Sequence, residues 1–251
     1  DWVIGFQSGQ LWLAYQLSGK SIFRNAAQAR RPVFRQLLRT RAAQDHDLGF
    51  QFSLTSVAEW QMVGDEVARS MAIDAASLLL SRNKQEGGYL QAWNPKPIHG
   101  EMRAKFANGR IIADTIQNLA LLYWAADETG REDYRQVANE HAEVTMKYLV
   151  RDDDTSFHTF LFNPSTGEPI CGQTHQGFSD DSCWSRGQAW LIHGFAQCAA
   201  KTGNVAYLSA AKRLANKAKV LMGTDNVPVW DYRVPDPSNA PRDSSAGAVM
   251  A

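Results

Sequence analysis

Leu121–Ala138 reads LLYWAADETGREDYRQVA. An apolar helical run meets Gly130. After three intervening residues Tyr134 opens a second run that carries charge. Glycine suits the left-handed residue that ends a helix, so the stretch predicts an αα-hairpin. The same pattern stands at 11–27 (LWLAYQLSGKSIFRNAA), 56–72 (SVAEWQMVGDEVARSMA) and 194–211 (GFAQCAAKTGNVAYLSAA), around Gly19, Gly64 and Gly203. Four copies make a repeat architecture.

The two helices of each unit differ. IQNLALLYWAA (116–126) is apolar on most sides, whereas REDYRQVANEHAEVTMKYL (131–149) carries charge on one. A helix apolar around most of its circumference is buried, and an amphipathic one faces water. First helices therefore form an inner ring and second helices an outer ring, an all-α (α/α) toroid. A superhelical solenoid of hairpins fits less well, because the spacing is irregular and long loops separate the units.

Those loops precede inner helices: 41–50, 83–114, 151–182 and 227–245. Connections within hairpins are short, so the long loops gather on one rim, above the inner-helix N-termini. Long loops on a rigid scaffold usually carry function. Within the third, SFHTFLFN and EPICGQT flank PSTG and predict a β-hairpin.

Composition narrows the function. Lys plus Arg and Asp plus Glu balance at 26 each, which removes the basic face that nucleic acid needs. No apolar run reaches membrane-spanning length. Cys171, Cys183 and Cys198 form no even disulfide set or metal spacing and read as buried small hydrophobes. No His/Asp/Glu cluster with metal-ligand spacing and no phosphate-binding glycine loop is expected. The opening DWVIGFQSGQLWLAY already reads as folded domain, and the closing DSSAGAVMA as the start of another helix.

The rim collects Asp47, Trp93, Asp114, His158, His175, Gln176, Asp180, Asp181, Trp184 and Arg186. Tryptophans that stack on pyranose faces, with carboxylates and amides for hydroxyls, suit a sugar. Inner-helix N-termini favour an anionic one, and Arg186 can grip a carboxylate with two bonds. Each residue also has a plain structural reading. Asp114 with Gln117 resembles a capping box, and Asp180 and Asp181 are stronger capping candidates. Asp47 suits a turn, His158 a satisfied core histidine, and Trp93 a loop seal. His141 and His193 read as structural, and Trp124 and Trp190 as inner-ring core.

The motifs HDLGF (46–50), IIADTIQNLALLYWAADETG (111–130) and HQGFSDDSCWSRGQAW (175–190) resemble glycoside hydrolase family 88, the unsaturated glucuronyl hydrolases. The resemblance runs from GQLWLAY to NAPRDSSA. It implies an (α/α)6 barrel, of which residues 1–251 read as one incomplete catalytic toroid: the chain begins inside the first hairpin and stops near the fifth inner helix. Matched motif by motif, it implies Asp114 and Asp47 as catalytic carboxylates, with Trp93, His158, His175, Gln176, Trp184 and Arg186 on the substrate. It implies no metal or cofactor, no nucleic acid or membrane partner, and a monomer or weak oligomer. Compartment is left open between bacterial cytoplasm and periplasm.

The implied substrate is an oligosaccharide ending in a 4,5-unsaturated uronic acid. Its double bond carries the ring oxygen and is a vinyl ether. An acid protonates C4, the ring oxygen stabilises the cation at C5, and water adds there. The resulting hemiketal collapses and releases the next sugar. This differs from hydrolysis by two carboxylates flanking an anomeric carbon. One carboxyl gives a proton and later takes one from water, a role assigned to Asp114. Asp47 is expected to hold hydroxyls and to keep Asp114 protonated by like-charge repulsion. Three alternatives stay open. Unsaturated rhamnogalacturonyl hydrolases share the fold, but their motif reads closer to RGNGW than to the RGQAW found here. An epimerase would want paired histidines on inner helices, where only His193 lies. A non-catalytic sugar-binding toroid is the third.

Overall fold

The computed structural model describes residues 2–94 and 106–251; part of the second rim loop, 95–105, lies outside them. Eleven helices are named here in chain order: α1 (Ile4–Ser18), α2 (Ser21–Gln28), α3 (Arg31–Arg39), α4 (Leu48–Phe52), α5 (Ala58–Val63), α6 (Glu66–Leu80), α7 (Thr115–Thr129), α8 (Glu132–Leu149), α9 (Ser185–Thr202), α10 (Val205–Met222) and α11 (Ser244–Met250). A π-helical turn, Ser53–Val57, joins α4 to α5 into one inner stretch.

All four predicted hairpins form. Gly19, Gly64, Gly130 and Gly203 have φ of 66°, 66°, 71° and 70°, and each donates its N–H to the carbonyl four residues back. A Cβ on any of them would meet nothing within 4 Å. Glycine is therefore required there by backbone conformation, not by lack of room.

The inner–outer division holds in the later hairpins. Helix α7 buries nearly every residue from Thr115 to Ala126. Its partner α8 buries only the stripe Tyr134, Val137, Ala138, His141, Ala142, Thr145 and Leu149. The pair α9 and α10 repeats the contrast. Neighbouring inner helices touch in chain order, α1 to the 48–63 stretch, then α7, α9 and α11, giving an arc of the α/α toroid. Helix α1 departs from expectation. It buries Gly5, Ser8 and Trp12, whereas Leu13 and Leu17 are 52% and 79% exposed. It packs on one side only, against α2 and the 48–63 stretch, so apolar content alone overstated its burial. Among the described residues no helix is long and apolar enough to cross a membrane.

The predicted β-hairpin forms from β4 (Thr159–Phe162) and β5 (Pro169–Gln173), and it recruits a third strand, β3 (Arg110–Ile112), antiparallel to β4. Two short strands, β1 (Asn83–Lys84) and β2 (Tyr89–Leu90), pair in the loop before it. The register matters for the site. Ile112 pairs with Thr159, and Ala113 N–H donates to His158 O at 2.9 Å. That bond sets Asp114, the next residue, beside His158.

Helices α4 and α7 approach closely where a Cβ on Gly49 would lie 2.3 Å from Asn118 Cα. Asn118 uses the contact: its Oδ1 accepts Phe50 N–H at 2.6 Å and its Nδ2 donates to Asp114 O at 3.0 Å. One buried amide thus fixes the helix start after Asp47 against the helix start at Asp114. Gly49→Ala must push the two apart, and the expected loss is about 3 kcal/mol, the upper end for overpacking. A denaturant midpoint measures it; parental stability would show that the helices separate freely.

Candidate active site

The long loops meet above the inner-helix N-termini, as the connection lengths require. A cavity of about 500 Å³ there is lined by Asp47, Trp93, Asp114, His175 and Gln176, together with Trp2, Asp45, His46 and Gln51. Five of the eight site residues expected from sequence therefore share one wall. The other three adjoin it through a chain of rings. His175 packs on Trp93 with centroids 5.0 Å apart, His158 lies 6.3 Å beyond, Trp184 is 4.3 Å under His158, and the Arg186 guanidinium sits 4.6 Å over Trp184. Phe106, overlooked in the sequence, closes the group, 5.5 Å from Trp93 and 5.4 Å from His175.

Asp114 stands at the N-cap position of α7, but its side chain caps nothing. Gln117 does not complete a capping box either. Its Nε2 donates to Trp190 O and its Oε1 accepts from His193 Nδ1. Asp47 likewise precedes α4 without capping it, and the turn beside it is made by Asp45, whose Oδ1 accepts Asp47 N–H at 3.0 Å. Asp47 is buried and Asp114 partly so, and neither side chain caps a helix. Asp180 and Asp181 do not cap α9, which begins at Ser185 with Trp184 at the N-cap. Asp180 accepts Thr174 N–H at 2.8 Å, and Asp181 O accepts from Arg233. The chain turns through Ser182 and is extended at Trp184, so the helix starts too late for either aspartate to reach it.

His158 proves both satisfied and available. Its Nδ1 accepts the N–H groups of His175 and Gln176, each at 3.1 Å. An accepting Nδ1 puts the proton on Nε2. Burial pushes its pKa down to about 3, so the ring is neutral. Its Nε2 has no hydrogen-bond partner among the described residues, which leaves an N–H for a ligand oxygen. Arg186 is half-engaged. Its Nη1 donates to Ser245 Oγ at 2.6 Å and lies 3.3 Å from Asp243 Oδ2, and its other nitrogens have no hydrogen-bond partner among the described residues.

His46 is the residue the sequence reading passed over. Its Nε2 lies 3.2 Å from Asp114 Oδ1 and 3.5 Å from Asp47 Oδ1. Burial works against charge on the ring, but the two carboxylates overcome it and lift its pKa to about 10. Burial raises Asp47 to about 8. Desolvation works the same way on Asp114, yet the nearer His46 pulls its pKa below the usual carboxylate value. These directions run opposite to the expectation that Asp47 keeps Asp114 protonated: they favour a proton on Asp47 and on His46, and an ionised Asp114.

Two further expectations need correction. Asp45, His46 and Asp47 do bring one ligand atom each within 4.8 Å of one another, which consecutive positions hid from a search for spaced motifs. One atom of two of them is engaged: His46 Nδ1 donates to Ala92 O at 2.9 Å and Asp45 Oδ1 holds Asp47 N–H, whereas His46 Nε2 and Asp47 Oδ1 have no hydrogen-bond partner among the described residues. Cys183 and Cys198 are buried as expected, but Cys171 is exposed on β5, a strand paired on one side only. His141 is structural, accepting Leu90 N–H at Nδ1, and Trp124 and Trp190 are buried as read.

The residues that shape the rim from behind left no sequence motif. Asp231, fully buried, accepts Phe178 N–H and Ser182 Oγ–H at Oδ2, and Cys183 and Arg233 N–H at Oδ1. It pins the loop that carries His175, Gln176 and Trp184. Arg82 donates to the carbonyls of Gln44, Gln91, Ala92 and Trp93, and so ties the loop of His46 to that of Trp93.

The chain is similar to known proteins over its whole length. The chain is 44% identical, over its whole length, to an unsaturated glucuronyl hydrolase of Bacillus sp. (strain GL1), and 37% identical over 99% of its length to an unsaturated chondroitin disaccharide hydrolase of Streptococcus pneumoniae. It spans 65% and 61% of those two relatives. Its backbone matches the crystal structure of the Bacillus sp. GL1 enzyme with a TM-score of 0.93 at 43% identity, covering all of this chain and 65% of that one. An unsaturated glucuronyl hydrolase structure from Streptococcus agalactiae matches at 0.87 and 38%, covering all of this chain and 62% of that one. A family model described as Glycosyl Hydrolase Family 88 matches residues 1–232. With that match running through Asp47, Asp114 and the whole aromatic rim, the chain belongs to glycosyl hydrolase family 88.

Proposed function

We propose that the protein removes a 4,5-unsaturated uronic acid from the non-reducing end of oligosaccharides, by hydrating the C4–C5 double bond. The observation that carries this reading is the pair of carboxylates, Asp47 and Asp114, leaning on one buried imidazole nitrogen at the wall of an aromatic-lined cavity. That grouping keeps one proton in play at one place, which vinyl-ether hydration needs. The names of the relatives supply the sugar class.

In this reading Asp114 protonates C4 and then takes a proton from the water that adds at C5. Asp47, itself protonated, bonds hydroxyls. Trp93 offers a face for the pyranose, His158 donates from Nε2, and His175 and Gln176 complete the rim. Arg186, with Trp184 beneath it, holds the uronate carboxylate. The test is the ultraviolet band of the conjugated uronate, followed with an unsaturated glucuronyl disaccharide and the natural protein. Loss of the band with release of the second sugar supports hydration; binding with the band intact would reduce the protein to a lectin-like toroid.

Arg186→Lys separates grip from charge. Lysine can keep the pairing with Asp243, but a point charge loses the planar two-bond hold and the stacking on Trp184. KM is expected to rise by roughly 10-fold or more, in line with one charged hydrogen bond, with kcat changed less. Unchanged KM would make Arg186 a tie between α9 and α11 and nothing more.

A further inference from the structure

We propose that His46 is a positioning residue that stores the proton Asp114 delivers, passing it from Nε2 to Oδ1 before protonation of the substrate and receiving it back after water adds. The inference rests on the reading of Asp114 as the general acid.

The geometry leaves the ring little choice. His46 is 1% exposed. Its Nδ1–H donates to Ala92 O at 2.9 Å, and the same carbonyl accepts His46 N–H and Arg82 Nη2–H. Trp93 packs edge-on against the ring at 5.7 Å. The imidazole therefore cannot turn, and Nε2 faces Asp47 Oδ1 and Asp114 Oδ1. None of these three atoms has a hydrogen-bond partner elsewhere among the described residues. Three converging lone pairs in a buried space are untenable without a proton among them. The charged and titratable groups around the ring are Asp45 and Asp47 on its own loop, Asp114 at the start of α7 and Arg82 from behind; His141 and His158 lie further off. His141 and His158 are neutral, Arg82 and burial work against positive charge on the ring, and the three aspartates favour it, which places the proton on Nε2.

An ionised Asp114 cannot act as an acid. The contact with Nε2 removes the difficulty. The stored proton moves to Oδ1, leaving neutral His46 and protonated Asp114. The carboxyl O–H then breaks as a C4–H bond forms, and the π pair of the double bond is consumed in that bond. Water attaches to the C5 cation, and its surplus proton goes to the Asp114 carboxylate and on to Nε2. One water is consumed, and the cluster ends with the protons it began with.

His46→Gln in the natural protein tests this, with kcat followed against pH by loss of the ultraviolet band. Glutamine can hydrogen-bond but cannot store a proton. The two carboxylates then share what remains, and the basic limb is expected to move to lower pH by about one unit or more, with KM nearly unchanged. A rate lowered by the same factor at every pH would mark a packing role and overturn the inference, as would an unchanged profile. Should the variant not fold, nitrogen-15 spectra of the histidines in the unsubstituted protein decide. Nε2 of His46 is expected to remain protonated near pH 8, well above the ordinary histidine value, and to lose that proton at lower pH in Asp114→Asn. A His46 that is neutral near pH 8 would overturn the storage role. The underlying reading fails separately: if Asp114→Asn turns over like the parent, Asp114 is no general acid; if Asp114→Asn is inert while the His46→Gln limb stays in place, only the storage role falls.

Discussion

Asp114→Asn in the natural protein is expected to lower turnover of an unsaturated glucuronyl disaccharide by about 10²–10⁴-fold, the usual worth of a general acid–base group, with little change in thermal midpoint. An aspartate at the first turn of a helix is ordinarily suspected of capping, and asparagine caps about as well. A capping residue would therefore lose neither stability nor rate. The structure sharpens the contrast, because the Asp114 side chain makes no cap bond at all. What asparagine removes is a carboxylate 3.2 Å from His46 Nε2 and the ability to exchange a proton at accessible pKa. The backbone of Asp114 is held independently of its side chain, by Asn118 at its carbonyl. The variant should thus keep the fold and the cavity while losing the chemistry. Rate and thermal midpoint measured on one preparation tell the two roles apart, and activity near the parent's would sink the mechanism.

What the sequence discloses is what local backbone chemistry encodes. Gly19, Gly64, Gly130 and Gly203 announce their hairpins because a left-handed helix end needs glycine wherever the chain goes next. The hairpin of β4 and β5 is legible for a similar reason: its turn lies within the segment. Asp47, Asp114, His175 and Gln176 are legible because they sit in compact motifs at the mouths of inner helices. The residues that hold those motifs together act over long sequence separations. Asn118 reaches back to Phe50, Asp231 to Phe178, Ser182 and Cys183, and Arg82 to Gln44. No periodicity or turn signal marks such partners. His46 is the instructive case. It stands next to Asp47 in HDLGF, yet nothing in the string says that Ala92, 46 residues away, fixes its Nδ1 and so turns Nε2 toward both carboxylates. The misreading of Asp180 and Asp181 has the opposite origin. A local rule was sound, but the helix starts only at Ser185, after an extended Trp184 bridged to Asp231.

That bridge makes Asp231→Ala the substitution with the largest expected structural effect. Asp231 is 0% exposed and accepts four hydrogen bonds, from Phe178 N at 2.9 Å, Ser182 Oγ at 2.6 Å, Cys183 N at 3.2 Å and Arg233 N at 2.9 Å. Alanine deletes the acceptors and leaves the donors. Each buried donor without a partner costs about 1–3 kcal/mol, and several lie here, so a loss on the order of 4 kcal/mol is expected. Asparagine is no remedy, because its amide NH2 would face groups that already donate. The damage should be local in its first consequences. The loop from Thr174 to Trp184 places the backbone N–H groups of His175 and Gln176 on His158 Nδ1, and those bonds fix the tautomer that carries the proton on Nε2. Loosening the loop thus disturbs three residues proposed to contact the substrate, His158, His175 and Gln176, through one carboxylate that touches none of them. A denaturant midpoint reports the stability loss. Hydrogen exchange at the amides of 174–184 reports its location, with protection falling there before it falls in α7. Uniform loss of protection would mean that Asp231 supports the whole arc, and parental stability would mean that water replaces the missing acceptors.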